Sequence, residues 1–181
     1  MIDLNCLWDH LRPHKYNILF SGGGSPIPSV HSIMHFLNEA PFVFDGKIIW
    51  KSNFTENSYI YEIFPADLWV QDFKFGNDEC ALKLSGIKKY WKLVLNNFNI
   101  LCRRNEPIII RHLLLPGHLH CCTARILSAL SAFKNKVLLS INPDFIPEYR
   151  SLEFGLARLI NDKEKDYAYS MATRLGFHII T

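Results

Sequence analysis

No stretch of this sequence is apolar and uncharged over the ~18–20 residues that a membrane helix requires. The most hydrophobic segment, Ile108 to Leu115, is short and carries Arg111. Long basic runs are also missing: 20 lysines and arginines against 17 acids leave a formal charge of +3, so nucleic-acid binding has no electrostatic footprint. The opening residues, MIDLNCLWDH, place acids where a secretory leader would be basic and lack its apolar region. Five cysteines, an odd number with Cys121 and Cys122 adjacent, exclude a disulfide framework. What is present is an ordinary globular balance, 49% apolar and 20% charged over 181 residues. The expectation is a reduced, cytoplasmic chain folding as one domain over 1–181, with neither membrane nor nucleic acid as a partner.

One pattern recurs along the chain: a short apolar run ends in Gly, Asn or Pro, and an amphipathic stretch of helix length follows. Asn17–Ser21 runs into Gly22, Gly23 and Gly24, and Ser29–Glu39 then reads as a helix with Val30, Ile33, Met34 and Leu37 at helical spacing. Lys47–Trp50, Leu68–Phe73, Pro107–Leu115 and Lys136–Ile141 read as further strands. Helices are expected at Ser58–Phe64, Asp78–Leu84, Tyr90–Arg103, Cys122–Phe133 and Asp162–Leu175, with a closing strand at Phe177–Ile180. About five β-α units of this kind predict an α/β fold whose parallel sheet is covered by helices. The periodicity leaves open whether that sheet is doubly wound or curved toward a barrel. Both forms gather ligands at the carboxyl ends of the strands.

Polar residues that interrupt those strands are the candidates for function. Asp72 and Lys74, two apart, point to one face of a strand; Arg111 shares a side with Ile109 and Leu113. A charge within a core strand must be paired or must meet a ligand. Two accounts follow: an internal ion pair of Asp72 with Lys74 or Arg111, or a carboxylate, an ammonium and a guanidinium arranged around a small polar substrate. The segment SGGGSPIPS (Ser21–Ser29) is either a tight turn or a backbone approach to a ligand ahead of a helix N-terminus. It is neither a P-loop nor the dinucleotide fingerprint. HLHCC (His118, His120, Cys121, Cys122) suits zinc by donor type. So short a segment is expected to bring no more than two donors to one ion, and no second cluster accompanies it. The expectation is therefore a helix start with buried thiols and no metal. The other histidines, His10, His14, His31, His35, His112 and His178, read as surface or core, and no catalytic residue is assigned.

The runs LWVQDFKFGNDECALKLSGIKKYW (Leu68–Trp91) and PIIIRHLLLPGHLHCCT (Pro107–Thr123), with WKSN (Trp50–Asn53) and PEYR (Pro147–Arg150), resemble radical S-adenosylmethionine proteins related to the pyruvate formate-lyase activating enzyme. The resemblance implies a partial (β/α) barrel of five to six parallel strands that binds S-adenosylmethionine across its strand tips. Carried over position by position, Gly23 and Gly24 match the Gly-Gly that holds the amino group of the methionine moiety. Ser52 and Asn53 match polar residues at the next strand end. Asp72 and Lys74 match a pair reaching the ribose and carboxylate region, and Arg111 matches a strand position facing the cofactor.

Two departures stand out. The family's G-G-E-P-T-P reads here with Ser25 where the acid would be. The C-x-x-x-C-x-x-C loop, whose thiolates hold a 4Fe–4S cluster in the family, is not formed by Cys6, Cys80, Cys102, Cys121 and Cys122 at any spacing. On the family's pattern the chain looks truncated, without its first strand and cluster loop, and inactive alone. The resemblance implies, as partner, a protein substrate of the glycyl-radical type or a second chain supplying the cluster loop. The alternatives are a degenerate, non-redox S-adenosylmethionine-binding protein, or an interaction module pairing through an exposed edge at Asn17–Ser21.

Overall fold

The computed structural model describes residues 8, 9, 11, 16–22, 26, 29–40 and 44–180. Six parallel strands form one sheet: β1 (Ile18–Phe20), β2 (Ile48–Ser52), β3 (Leu68–Asp72), β4 (Ile108–Leu113), β5 (Val137–Asn142) and β6 (His178–Ile180). Each pairs with the next in chain order, from β1 to β6. A doubly wound sheet reverses its strand order part-way, whereas a barrel wall does not. The sequential order therefore decides for the partial barrel. The strand expected at the C-terminus is present as β6, and β1 lies at one edge of the sheet, pairing with β2.

Helices cross over between the strands: α1 (Val30–Asn38), α2 (Ser58–Ile63), α3 (Asp78–Ser85), α4 (Tyr90–Arg103), α5 (Ala124–Leu130) and α6 (Asp162–Leu175). Local chemistry sets their ends. Asn77 caps α3 by accepting from Cys80 N at 2.7 Å, and Asn161 with Glu164 forms a reciprocal capping box on α6. The helix expected at Cys122–Phe133 begins earlier, because Leu119–Thr123 forms a π turn before α5, and it ends in a 3-10 turn at Ser131–Phe133.

The two faces of the sheet differ. On β4, Ile108, Ile110 and His112 are buried, while Ile109, Arg111 and Leu113 are half-buried on the concave side. Trp50 and Trp69, register partners on β2 and β3, are fully buried with Tyr61 and Phe64 in an aromatic layer. Burying each such ring stabilises by about 1.5–3 kcal/mol. This layer holds the middle strands rigid where their carboxyl ends open onto solvent.

Candidate functional site

At the carboxyl ends of β1, β2 and β3 lies a cavity of about 240 Å³, lined by Ser21, Gly22, Lys51, Ser52, Asn53, Asp72 and Lys74. Asp72 and Arg111 are register partners on β3 and β4. Asp72 lies 3.6 Å from Lys74 Nζ and 3.5 Å from Arg111 Nη1. The strand register sets Arg111 beside Asp72, and the loop that follows β3 returns Lys74 to the same carboxylate. Both separations exceed the 2.7–2.9 Å of a tight charge-assisted hydrogen bond, so the carboxylate keeps room for another donor. Lys74 Nζ makes its shortest contact with Asn53 Oδ1, at 2.7 Å.

Packing fixes the two loops that bear these groups. Phe54, next to Asn53, adopts a left-handed φ of 66° with its side chain fully buried, a conformation that costs of order 1–3 kcal/mol for a bulky residue. Asn97 Nδ2 holds its carbonyl at 3.1 Å, and Tyr61, Phe73 and Phe98 surround its ring. The resulting corner sends Asn53 to the cavity. On the other loop, Lys74 N donates to the buried Tyr90 hydroxyl at 3.0 Å. Desolvation by burial pushes that phenol well above its usual range, so it stays neutral.

Ser52 behaves differently from its neighbours. Its hydroxyl turns to the helical side and donates to Gln71 Oε1 at 2.6 Å, in a buried network with Tyr61 and Glu56. Gly23, Gly24 and Ser25 lie outside the described residues. Arg111 reaches Asp72 but does not itself line the cavity. Two wider hollows, of about 560 and 540 Å³, open at the opposite edge, around the starts of β4 to β6 and of β2. In the second of these, Lys47 and Asp67 are paired with each other at 3.0 Å. Ligands of parallel sheets gather at the carboxyl edge instead.

Beside the cavity the structure gathers a group that sequence reading missed. The expectation that HLHCC brings at most two donors to one point is overturned. His118, Cys121 and Cys122 stand at i, i+3 and i+4 of a helical turn, which places them on one face. Cys80, third residue of α3, joins them from across the β3–α3 loop, and the four donor atoms lie within 4.8 Å of one another. The helical spacing was visible in the sequence; the arrival of Cys80 was not. His120 points away, to Tyr167 Oη at 3.2 Å. Burial lifts the Cys121 and Cys122 thiols above their usual range and, with Lys83 nearby, depresses His118. Cys102, the remaining described cysteine, stands apart and is raised to about 11 by burial.

His112 ties this group to β3. Its Nδ1 donates to the Phe73 carbonyl at 2.8 Å, and its Nε2 accepts from Thr123 Oγ1 at 2.8 Å. A carbonyl can only accept, so the tautomer follows from the geometry. Full burial lowers the imidazole to about 4.

Comparison with known proteins bears on the architecture. The crystal structure of a domain of pyruvate-formate lyase-activating enzyme from Bacteroides vulgatus superposes with a TM-score of 0.70 at 13% identity, over 91% of this chain and 97% of that one. The chain shares that domain's fold. An uncharacterized protein of Methanocaldococcus jannaschii is 30% identical over 175 residues, 94% of this chain. The chain spans about half (50%) the length of that curated relative. No protein-family model matches the chain. Among the described residues, no helix is long and apolar enough to cross a membrane.

Proposed function

We propose that the chain is the S-adenosylmethionine-binding part of a radical S-adenosylmethionine-type enzyme, and that the cavity at the ends of β1 to β3 receives the cofactor. The observation that carries this reading is the meeting of Asp72, Lys74 and Asn53 around a hollow beside Ser21 and Gly22. The activating-enzyme-like fold supports it.

The donor set suits a zwitterionic nucleoside. Asp72 accepts from ribose hydroxyls or an ammonium, Lys51 and Lys74 face a carboxylate, and Asn53 both donates and accepts. Gly23, Gly24 and Ser25, which follow Gly22 in sequence, would meet the methionine's amino group. Arg111 orients Asp72 from the neighbouring strand. When bound, the cofactor supplies the radical chemistry, which side chains cannot replace. The residues of this chain bind it, orient it and neutralise its charges.

A 4Fe–4S cluster does not fit the residues present. Three thiolates of such a cluster bind three separate irons, which needs donors spread wider than the Cys80–Cys121 separation of 3.6 Å. The C-x-x-x-C-x-x-C spacing is absent from the sequence. In the proposed reading the cluster is held by polypeptide outside these 181 residues, in a longer form of the chain or in a partner, and the 181 residues alone are inactive. The same mismatch favours, as a second reading, a non-redox protein that binds the nucleoside without cleaving it.

Calorimetry of the full chain with S-adenosylmethionine tests the shared premise. Saturable binding, weakened about tenfold or more by Asp72→Asn through loss of one charge-assisted contact, supports it. Absence of heat at millimolar cofactor overturns both readings. Co-purification of an iron- and sulfide-bearing polypeptide with the C-x-x-x-C-x-x-C spacing separates the radical reading from the non-redox one.

A further inference from the structure

Four donors from two segments far apart in sequence converge beside the β3–α3 loop. Cys80 Sγ stands 3.5 Å from His118 Nδ1 and 3.6 Å from Cys121 Sγ; Cys121 Sγ stands 3.3 Å from His118 Nδ1. Tetrahedral zinc, with bonds of about 2.3 Å to sulfur and about 2.0 Å to nitrogen, sets S···S edges at about 3.8 Å and S···N edges at about 3.5 Å. Three observed edges match those values. Cys122 Sγ, within 4.8 Å of the others, closes the fourth vertex after a movement of about 1 Å, within reach of a small χ1 adjustment.

The surroundings are built for such a group. Gly76 lies directly against the π turn, where an added Cβ would come 2.6 Å from Cys122 Cα. This close approach packs the Gly76 backbone against the Cys121 and Cys122 main chain. Asn77 holds both halves: its Oδ1 accepts from Cys80 N at 2.7 Å and its Nδ2 donates to the Cys121 carbonyl at 2.9 Å. Backbone and amide bonds of this kind orient the layer around metal ligands. The π turn itself, a rare form associated with functional sites, is what carries Cys121 and Cys122 to the same point.

We propose that Cys80, His118, Cys121 and Cys122 bind one zinc ion in a closed, structural Cys₃His site. Binding displaces the protons of three thiols to solvent. The divalent ion with three thiolates then carries one net negative charge, and the ammonium of Lys83, one turn beyond Cys80, lies near it. The ion clamps the β3–α3 loop, which also bears Lys74, to the start of α5. Four protein donors leave no open position for substrate, so the role is to hold the loop and not to catalyse. This inference stands on side-chain positions alone and is independent of what the neighbouring cavity binds.

The test is metal content and cobalt substitution of the full chain, purified under reducing conditions. About one equivalent of zinc is expected, and Co²⁺ should give the intense visible bands of tetrahedral coordination together with thiolate charge transfer. Cys80→Ala should lower zinc affinity more than about a hundredfold, beyond the loss that follows removal of an outer partner. His120→Ala should leave it unchanged. The wild-type cobalt spectrum decides the matter even if Cys80→Ala does not fold. Zinc well below stoichiometry with octahedral, thiolate-free cobalt spectra would overturn the proposal. So would uptake of four irons with sulfide that is lost in Cys121→Ala and Cys122→Ala.

Discussion

Asp72 and Arg111 face each other across the β3–β4 register, with Oδ1 and Nη1 3.5 Å apart on the concave side of the sheet. Arg111 is one-third exposed and Asp72 one-fifth, so the pair is partly solvated, and exposed pairs of this type contribute about 0–1 kcal/mol. Asp72→Asn should therefore shift urea unfolding by less than about 1 kcal/mol while it weakens cofactor binding. A large stability loss with unchanged binding would assign Asp72 to the scaffold.

His112 links the end of β3 to the residue that follows Cys122, and burial pushes its imidazole down to about 4. The unfolded chain binds this proton near pH 6.5, so the neutral histidine stabilises the fold fully above that pH. The contribution fades as pH falls from about 6.5 toward 4, by up to about 3 kcal/mol. Denaturant titrations across that window, compared with His112→Gln, should show the steeper acid loss in the wild type. Parallel slopes for the two proteins would contradict the buried, neutral assignment.

Glu164 receives the Arg158 guanidinium on both carboxylate oxygens, accepts from Gly117 N at 3.0 Å and completes the α6 capping box. The Arg158 contact comes first among the causes that hold its carboxyl down to about 2. Its stabilisation is present above the ordinary carboxyl range, near 4.5, and is lost as pH falls toward 2. Glu164→Gln is expected to cost about 1–3 kcal/mol at neutral pH. That difference should vanish in acid, as measured by thermal unfolding at several pH values.

Gly76→Ala pushes a methyl group against the Cys122 backbone. Overpacking of this kind costs about 1–3 kcal/mol. Because the displaced segment carries the thiols, zinc affinity should fall along with melting temperature. Gly86→Ala, at a left-handed α3 C-terminus with open space around it, should lower stability only, and metal content separates the two variants.

Much of the architecture was legible in residue order. Apolar runs such as Ile108–Leu113 alternate buried and half-buried positions, and only a parallel sheet under helices satisfies that pattern together with the helices between the runs. The sequence named Asp72, Lys74 and Arg111 as candidates for an ion pair or a ligand site, but β3 ends at Asp72 and Arg111 stands on β4, so the loop and the strand register bring them together. Whether the sheet curls was settled by strand order, which depends on long-range pairing that no local pattern encodes. Ser52 lines the cavity while its hydroxyl bonds Gln71, because β2 extends to Ser52 itself and the side chain follows the pleat into the helical layer.

By itself the sequence determined the alternation of strands and helices, the side on which each strand charge emerges, and the helical spacing of His118, Cys121 and Cys122. Only the tertiary structure decided that Cys80 joins them. That meeting spans 41 residues and exists because β3 and β4 are neighbours, which brings the loop after one strand against the turn after the other. Spacing along a chain fixes contacts within an element; contacts between elements wait for the sheet to choose its neighbours.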